Sequence, residues 1–510
     1  LKRIFQLVLI LFCLVSCGTG GINERSELLN FYKTGAYDLG LQFLETKEFF
    51  KSEKERLLYF LEKGMFLHSK GDFENSNQAL EEAEKIANEL FTISVSAKIQ
   101  QSTLNDNYDK FYGEVYERSM IYYYRSINSL FLYFKTHERN DLFKARANIL
   151  AWDSFLKSIK DDRAGKTVYK NDLLLKIYGA KVHELIGTRE DEQIAINLYK
   201  EAEDIIFKNY NTYPSFNQKF KEFKKDYDKL PSMKTGDVVK NYIAETDHAI
   251  ILKKYIKDSL ERLKKKKTQK NIALTVLVEK DLIAEKYPSK TEFGLQGLSN
   301  EPLMRLFVAD ILGLMPTANN YNPGGAYAGI VTADAAMKLF AFSFEVPKVR
   351  NRGVLSTFKF ILVDDKNAEV ISKDLSLINP MGDIAEESIY ESSAALYTRI
   401  GARLTTKHVA AILASFGTYK ALGGGSNKES PFAKNAAILQ YAAASRIIEQ
   451  SEKADTRYWS TLPNEIRMTD IEVLPGAYTA YLDVGLTERI NLGKVEISEN
   501  QIERILHFRK

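Results

Sequence analysis

The sequence predicts an α+β protein: an N-terminal α-solenoid followed by a β-rich domain that carries a long inserted helical hairpin. Three observations lead there. From Asn23 to about Lys267 prolines are scarce and apolar residues recur at helical spacing. From about Asn271 the composition shifts to short β-branched and alternating runs bounded by Gly, Pro, Asn and Asp. Two long apolar segments, the second rich in alanine, are separated by Gly423-Gly424-Gly425-Ser426. The implied division is 1–16 signal segment, 17–22 tether, 23–267 helical domain, 268–379 β-rich segment, 380–456 helical hairpin and 457–510 strands completing the β-rich domain.

In the helical half, Gly64-Met65-Phe66-Leu67, Gly71-Asp72-Phe73, Leu80 and Ala83 fit a tetratricopeptide (TPR) repeat. Gly64 lets one helix approach its partner, Gly71-Asp72 makes the turn, and Leu80 and Ala83 pack back. Weaker copies are Gly35-Ala36-Tyr37 with Leu41 and Leu44, and Gly187 with Ala195, Tyr199 and Ala202. Stacked helix pairs of this TPR-like kind share a core and leave a concave face for a partner. Between the copies, Glu114 and Arg118 stand four residues apart, a spacing that gives a modest attraction on a helix face. With Glu117 and Tyr122-Tyr123-Tyr124 they suit either a ligand groove or, the better fit, aromatic core packing that Trp152 and Phe155 would join. Arg262, Lys264-Lys265-Lys266-Lys267 and Lys270 read as a solvated helix end leading into a linker, with contact to anionic headgroups as the alternative.

In the second half, Ala273 to Val278 is a β-branched strand, while Pro288, Gly294 and Gly297 mark a break. Phe307 to Leu314 is an apolar run, Pro316 to Gly325 a loop, and Met337 to Val346 an alternating strand. Ser356 to Val363 and Ala368 to Leu377 form a hairpin around Asp364-Asp365-Lys366-Asn367. A helix follows from about Asp383, its expected N-cap, to Leu422. Its apolar stripe is Ile389, Leu396, Ile400, Leu404, Ile412 and Phe416, and His408 falls in that stripe as a packing residue rather than a base or metal ligand. Arg399, Arg403 and Lys407 recur on a neighbouring face, suited to an anionic partner or, better, to pairing with Glu449, Glu452 or Asp455. A second helix over Pro431 to Ala454 has small residues that permit an antiparallel hairpin, and its charges argue against membrane insertion. Strands over Ile466–Leu474, Tyr478–Val484 and Lys494–Ile497 follow, with a last edge strand at Leu506–Lys510.

The N-terminus sets location. Lys2-Arg3, an apolar run from Ile4 to Val15 and Ser16-Cys17 have the shape of a secretory signal, too short to stay across a bilayer. The pattern resembles the lipobox of bacterial lipoproteins, which implies acylation of Cys17 and loss of the residues before it. The formal charge of +4 then falls to about +2 with Lys2 and Arg3 gone, which gives no argument for nucleic acid. Cys13 leaves with the signal and Cys17 carries lipid, so the body would have no thiol for a disulfide, zinc site or nucleophile.

The whole chain resembles an uncharacterised family of bacterial lipoproteins with a TPR-like first half. The matching residues are Gly113-Glu114-x-x-Glu117-Arg118, the Gly187 to Ala202 repeat, the alanine-rich hairpin, and Ala454-Asp455-Thr456-Arg457-x-Trp459-Ser460-Thr461-Leu462-Pro463 with Leu474-Pro475-Gly476. Members often lie beside genes for lipoprotein activators of penicillin-binding proteins, which implies envelope or peptidoglycan work; the family carries no established catalytic residues. Physically, Trp459 with Leu462-Pro463 is expected to close the hairpin base against the terminal sheet, while Asp455 and Arg457 pair locally. The expectation is therefore a scaffold or adaptor without enzyme activity or cofactor, held by lipid in the bacterial envelope, on the outer membrane facing the periplasm. Its partners would be envelope proteins, with peptidoglycan contact. The alternative is an envelope hydrolase or glycan-binding module. Against a hydrolase, the six histidines are scattered, and there is no His-Glu-x-x-His, Gly-x-Ser-x-Gly or Walker loop.

Overall fold

A computed structural model describes residues 21–97, 110–159, 171–208, 210, 213–217, 246–264, 271–293, 342–350, 356–422, 431–485, 487–499 and 503–510. The lipobox with Cys17, the run at 307–314, the loop at 316–325 and the lysine run at 265–267 lie outside the described residues. So do the side chains of Leu396, Arg399, Arg403, Ile412 and Phe416, although their backbone is helical.

The first half is helical. Antiparallel neighbours are α1 (Ile22–Lys33) with α2 (Tyr37–Thr46), then, after the short α3 (Glu48–Lys51), α4 (Arg56–Lys70) with α5 (Phe73–Ala97). Next come α6 (Val115–Thr136) with α7 (Arg139–Ser158), and α8 (Leu173–Ile186) with α9 (Arg189–Lys208); α10 (Asp247–Lys264) packs on α9. Each pair turns through a left-handed residue: Gly35, Gly71 and Gly187 in three of them and His137, at φ 61°, in the fourth. Gly64 has the role its spacing assigns. A Cβ there would stand 2.6 Å from Leu80 Cδ2, and the Gly64 carbonyl accepts a hydrogen bond from Ser76 Oγ at 2.7 Å. The aromatic run on α6 is core: Tyr122, Tyr123 and Tyr124 are buried, with Tyr123 against Trp152 and Tyr122 against Phe155.

The second half is a nearly closed, barrel-like seven-stranded sheet in the order β8-β7-β4-β5-β6-β1-β9. Its strands are β1 (Ile272–Leu282), β4 (Phe358–Asp364), β5 (Glu369–Asn379), β6 (Pro463–Val473), β7 (Gly476–Val484), β8 (Glu488–Ile497) and β9 (Ile505–Arg509). The β4–β5 hairpin and the edge position of β9 follow the sequence expectation. A separate ribbon of β2 (Lys286–Phe293) and β3 (Phe342–Val349) was not anticipated on its first strand, because Pro288 reads as a breaker. Pro288 sits opposite Pro347, so both residues without an N–H share one position of a two-stranded ribbon. The hairpin is α11 (Met381–Ala421) with α12 (Pro431–Ser451). It rests on the ribbon through Ile400, Leu404 and Ile448 against Phe344 and Val346.

Period-two alternation decides how the halves join. On β1, Ile272, Leu274, Val276 and Val278 enter the core inside the sheet, whereas Leu277 joins the helical core. Likewise Ile471 and Val473 of β6 face inward, and Ile466 and Met468 belong with the helices. One continuous apolar core therefore runs from α1 to the outer face of β1, β6 and β9.

Two expectations are corrected. Asp383 does not cap the hairpin helix, which begins at Met381; its Oδ2 accepts the backbone N–H of Ser215 at 2.9 Å, tying the hairpin base to the segment before α10. Arg262 is no part of a solvated basic end. It bridges Glu184 of α8, at 2.6 Å, and Asp470 of β6, at 3.1 Å.

The contact at Gly64 is directly testable. Gly64→Ala should lower unfolding free energy by about 1–3 kcal/mol through overpacking against Leu80. In urea unfolding, Gly64→Ala combined with Leu80→Ala should lose less than the sum of the two single variants.

Candidate functional site: a buried joint and an adjoining cleft

The segment from Ala454 to Leu462, between α12 and β6, threads against the helical half. Burying its backbone requires partners, because an unpaired buried N–H or charge costs a few kcal/mol. Two buried carboxylates, Glu62 and Glu117, accept from the segment directly, and a third, Glu279, holds the Arg509 that donates to it. Glu62 of α4 accepts from the Ser460 N–H and Ser460 Oγ, both at 2.8 Å, and from Thr461 Oγ1 at 2.6 Å. Glu117 of α6 accepts from the Trp459 N–H at 2.6 Å and from the Glu114 N–H at 2.6 Å, the latter completing a capping box. Glu279 of β1 accepts from Tyr123 Oη and Tyr124 Oη, both at 2.9 Å, and from Arg509 Nη1 at 2.7 Å. Arg509 also donates to the carbonyl of Thr461. Register puts Glu279 and Arg509 opposite each other on the parallel β1–β9 pair, so the strand pairing itself presents the ion pair to α6.

Two further pairs finish the joint. Arg457, 1% exposed, donates to Glu55 Oε1 at 2.8 Å and makes a fork on Asp455, at 2.9 and 2.8 Å. Arg25 of α1 donates to the carbonyl and Oγ1 of Thr456, at 2.6 and 3.0 Å. Across the sheet, Asp470 receives Lys181 Nζ at 2.5 Å and Thr275 Oγ1 at 2.8 Å.

These environments shift the ionisations in opposite directions. Burial pushes the Glu117 carboxyl up to about 7 against the pull of Lys286 and the two backbone N–H groups. Burial also raises Glu62. Burial acts the same way on Glu279, but Arg509 and His507 outweigh it and hold that carboxyl well below the usual range. Burial would lift Glu184 too, yet Lys181 and Arg262 bring it down to about 2.

Of the residues singled out from sequence, Glu117, Asp455, Arg457 and Trp459 meet in this joint. Glu114 stands at the N-cap of α6 and not on the helix face; its Oε1 lies 3.1 Å from Lys286 Nζ, and its Oε2 accepts from Ser388 Oγ at 3.3 Å. Arg118 lies over the Phe155 ring, 5.0 Å from its centroid. Asp455 and Arg457 do pair locally. Trp459 packs on the helical half beside Tyr124, at 6.0 Å between ring centroids, whereas Leu462 and Pro463 meet the sheet as expected, Pro463 opposite Leu282 of β1 and the Leu462 carbonyl accepting the Ile283 N–H at 2.8 Å. Lys407 is elsewhere, 2.5 Å from Glu452 within the hairpin. His408 is buried there and bonded to Tyr441 Oη at 3.0 Å. Among the described residues no group of three or more His, Cys, Asp or Glu could hold a metal ion.

Sequence reasoning missed Glu62, Glu279, Arg25 and Arg509. For two of them a signal was present: Glu62 shares a helix face with Leu58, Met65 and Phe66, and Glu279 ends the apolar run of β1 on the helix-facing phase. A carboxylate on an apolar stripe announces a buried partner. Arg25 and Arg509 carry no such mark.

Beside the joint lies a cleft of about 1190 Å³, formed by α1, the α4–α5 turn, the loop after β1, the end of β9 and the signature segment. Its floor includes His68, Tyr32 and His507, and its rim includes the exposed Lys33, Arg350 and Lys510. His68 Nδ1 lies 2.6 Å from Asn128 Oδ1, and burial pushes the imidazole down to about 4, against the attraction of Glu279. Neither a family model nor a curated protein nor a solved structure matches the chain.

Two outcomes are expected. Glu279→Gln leaves Arg509 buried without its counter-charge and should cost about 3–5 kcal/mol in urea unfolding. Asp483→Asn, which removes the partner of the exposed Arg489, should change stability by less than about 0.5 kcal/mol. The second concerns pH. His68 and His408 both sit near about 4, below the ordinary value. The stability they contribute is therefore present above about pH 6.5 and lost as pH falls through about 4. Glu117, raised to about 7, works in reverse: its contribution is present below the ordinary carboxylate range and lost as pH rises through about 7. Melting temperatures at about pH 7 and about pH 5 should fall less on acidification in His68→Gln than in the parent chain.

Proposed function

We propose that this protein is a lipid-anchored envelope scaffold or adaptor, with a TPR-like helical half that binds envelope proteins. The observation that carries this reading is the use of the Ala454–Leu462 signature. Its hydrogen-bonding groups go into holding α1, α4 and α6 to the sheet, as a rigid body requires if it is to present surfaces to others. The repeated antiparallel helix pairs, each turning at a left-handed residue, support the TPR-like reading of the first half. Among the described residues no helix is long and apolar enough to cross a membrane, so on this reading Cys17 supplies the attachment. Lipoprotein maturation that adds two or three acyl chains would make that attachment stable.

Cell fractionation tests the anchor: Cys17→Ser should move the mature protein from the membrane to the soluble fraction. Unchanged detergent-dependent membrane association would sink the lipoprotein reading. Affinity capture with the soluble Cys17→Ser chain should recover envelope proteins. Turnover of purified cell wall with no captured partner would put the hydrolase reading first.

A further inference from the structure

We propose that the cleft between α1, β9 and the signature segment is a binding site for an organic phosphate, a phosphate group carried on a ring, sugar or glycerol body. The first ground is charge. Seven lysines and arginines line the cleft against two carboxylates, Asp281 and Glu285. Four of the seven are already matched: Lys70 by Asp38, Arg350 by Glu285, Lys286 by Glu114 and Arg509 by Glu279. The side chains of Arg25, Lys33 and Lys510 remain, none with a side-chain carboxylate in ion-pair distance among the described residues, although Asp455 and Glu55 attract Arg25 from farther off. A cleft walled by protein and lined by an excess of cations concentrates anions. Three such charges match a dianionic phosphate better than a single carboxylate.

The second ground is a buried guanidinium in the cleft wall. Arg25 is 6% exposed, and although its two terminal nitrogens are held by Thr456, its Nε has no hydrogen-bond partner among the described residues. Burial lowers its pKa, which the nearby Asp455 and Glu55 carboxylates offset only in part, so an anion in the cleft would add to the compensation of this guanidinium. The third ground is the wall. Tyr37, Phe73, Phe131 and Tyr458 give aromatic faces that can stack a ring or cover a glycerol body, and the volume of about 1190 Å³ leaves room for one.

Two sources would offer this chemistry, a free organophosphate and a lipid headgroup. The headgroup arm alone rests on the Cys17 anchor; the free arm does not, so the two can fail separately. Titration calorimetry of the Cys17→Ser chain uses phenyl phosphate and glycerol 3-phosphate, with phenol and glycerol as neutral controls. Flotation with phosphatidic acid vesicles, and with phosphatidylcholine vesicles as control, tests the headgroup source. The expected result is binding of at least one phosphate probe, weakened about tenfold or more by Lys33→Glu with Lys510→Glu, and weakened by raising salt from about 20 to about 300 mM. Both lysines are exposed at the rim, so the variant should keep the melting temperature of its parent. Arg25→Lys, which retains the charge and loses the fork on Thr456, should weaken binding without abolishing it. Binding of vesicles alone assigns the headgroup as the source, and binding of soluble probes alone assigns a free ligand. The proposal is overturned by no binding of any phosphate probe up to about 10 mM, by equal binding of the neutral controls, or by binding that the rim variant leaves unchanged. An acidic peptide that binds where every phosphate probe fails would also overturn it.

Discussion

The structure depends on desolvated carboxylates that are satisfied only when the two halves of the chain are together. Glu62, Glu117 and Glu279 are fully buried, and each takes hydrogen bonds from far along the sequence: Glu62 from Ser460 and Thr461, Glu117 from Trp459, and Glu279 from Tyr123, Tyr124 and Arg509. Without the signature segment Glu62 would lose every acceptor contact that compensates its burial, a penalty of several kcal/mol. Apolar burial supplies the bulk of the adhesion, since the helical core continues onto β1, β6 and β9. The carboxylates add what apolar contact lacks, namely a requirement for one register and one orientation.

That requirement explains why β1 is the hinge-point of the architecture. A strand buried on both faces must serve two cores, and period-two alternation assigns Val276 and Val278 to one and Leu277 and Glu279 to the other. A slip of one residue would drive Glu279 into the sheet interior and Val278 against the tyrosines. Pairing on both sides, antiparallel with β6 and parallel with β9, prevents the slip. The parallel partner matters most, because it brings Arg509 level with Glu279 where no local turn could have placed it.

Much of this was legible where the information is local. Helical spacing, the turn at Gly71-Asp72, the hairpin around Asp364 to Asn367 and the two helices flanking the glycine run depend on residues close in sequence, and the structure follows them. The misreadings share the opposite property. Asp383 looks like an N-cap because caps are local, yet its oxygen is claimed by Ser215. Arg262 looks solvated beside lysines, yet it answers Glu184 and Asp470. The signature reads as structural and its Leu462-Pro463 end meets the sheet, but nothing in a linear pattern says that Trp459 will find Glu117 and Tyr124. β2 was hidden because a single proline outweighs alternation in a reading that does not know about the proline opposite.

The joint and the cleft are consequences of the same threading. Bringing residues 456–460 across α1 sets Arg25 between Thr456 and open space, and bringing β9 against β1 sets Arg509 and Lys510 beside the α4–α5 turn. On the joint side each cation meets a carboxylate in low dielectric, where attraction offsets desolvation. On the cleft side the supply of carboxylates runs out: Glu279 is committed to Arg509, Glu285 to Arg350 and Asp38 to Lys70. Adhesion uses only the two terminal nitrogens of the Arg25 guanidinium, both on Thr456, and its charge meets no carboxylate in ion-pair distance among the described residues. The surplus of positive charge at the edge of an otherwise balanced network is therefore the feature of this molecule that adhesion alone leaves unexplained.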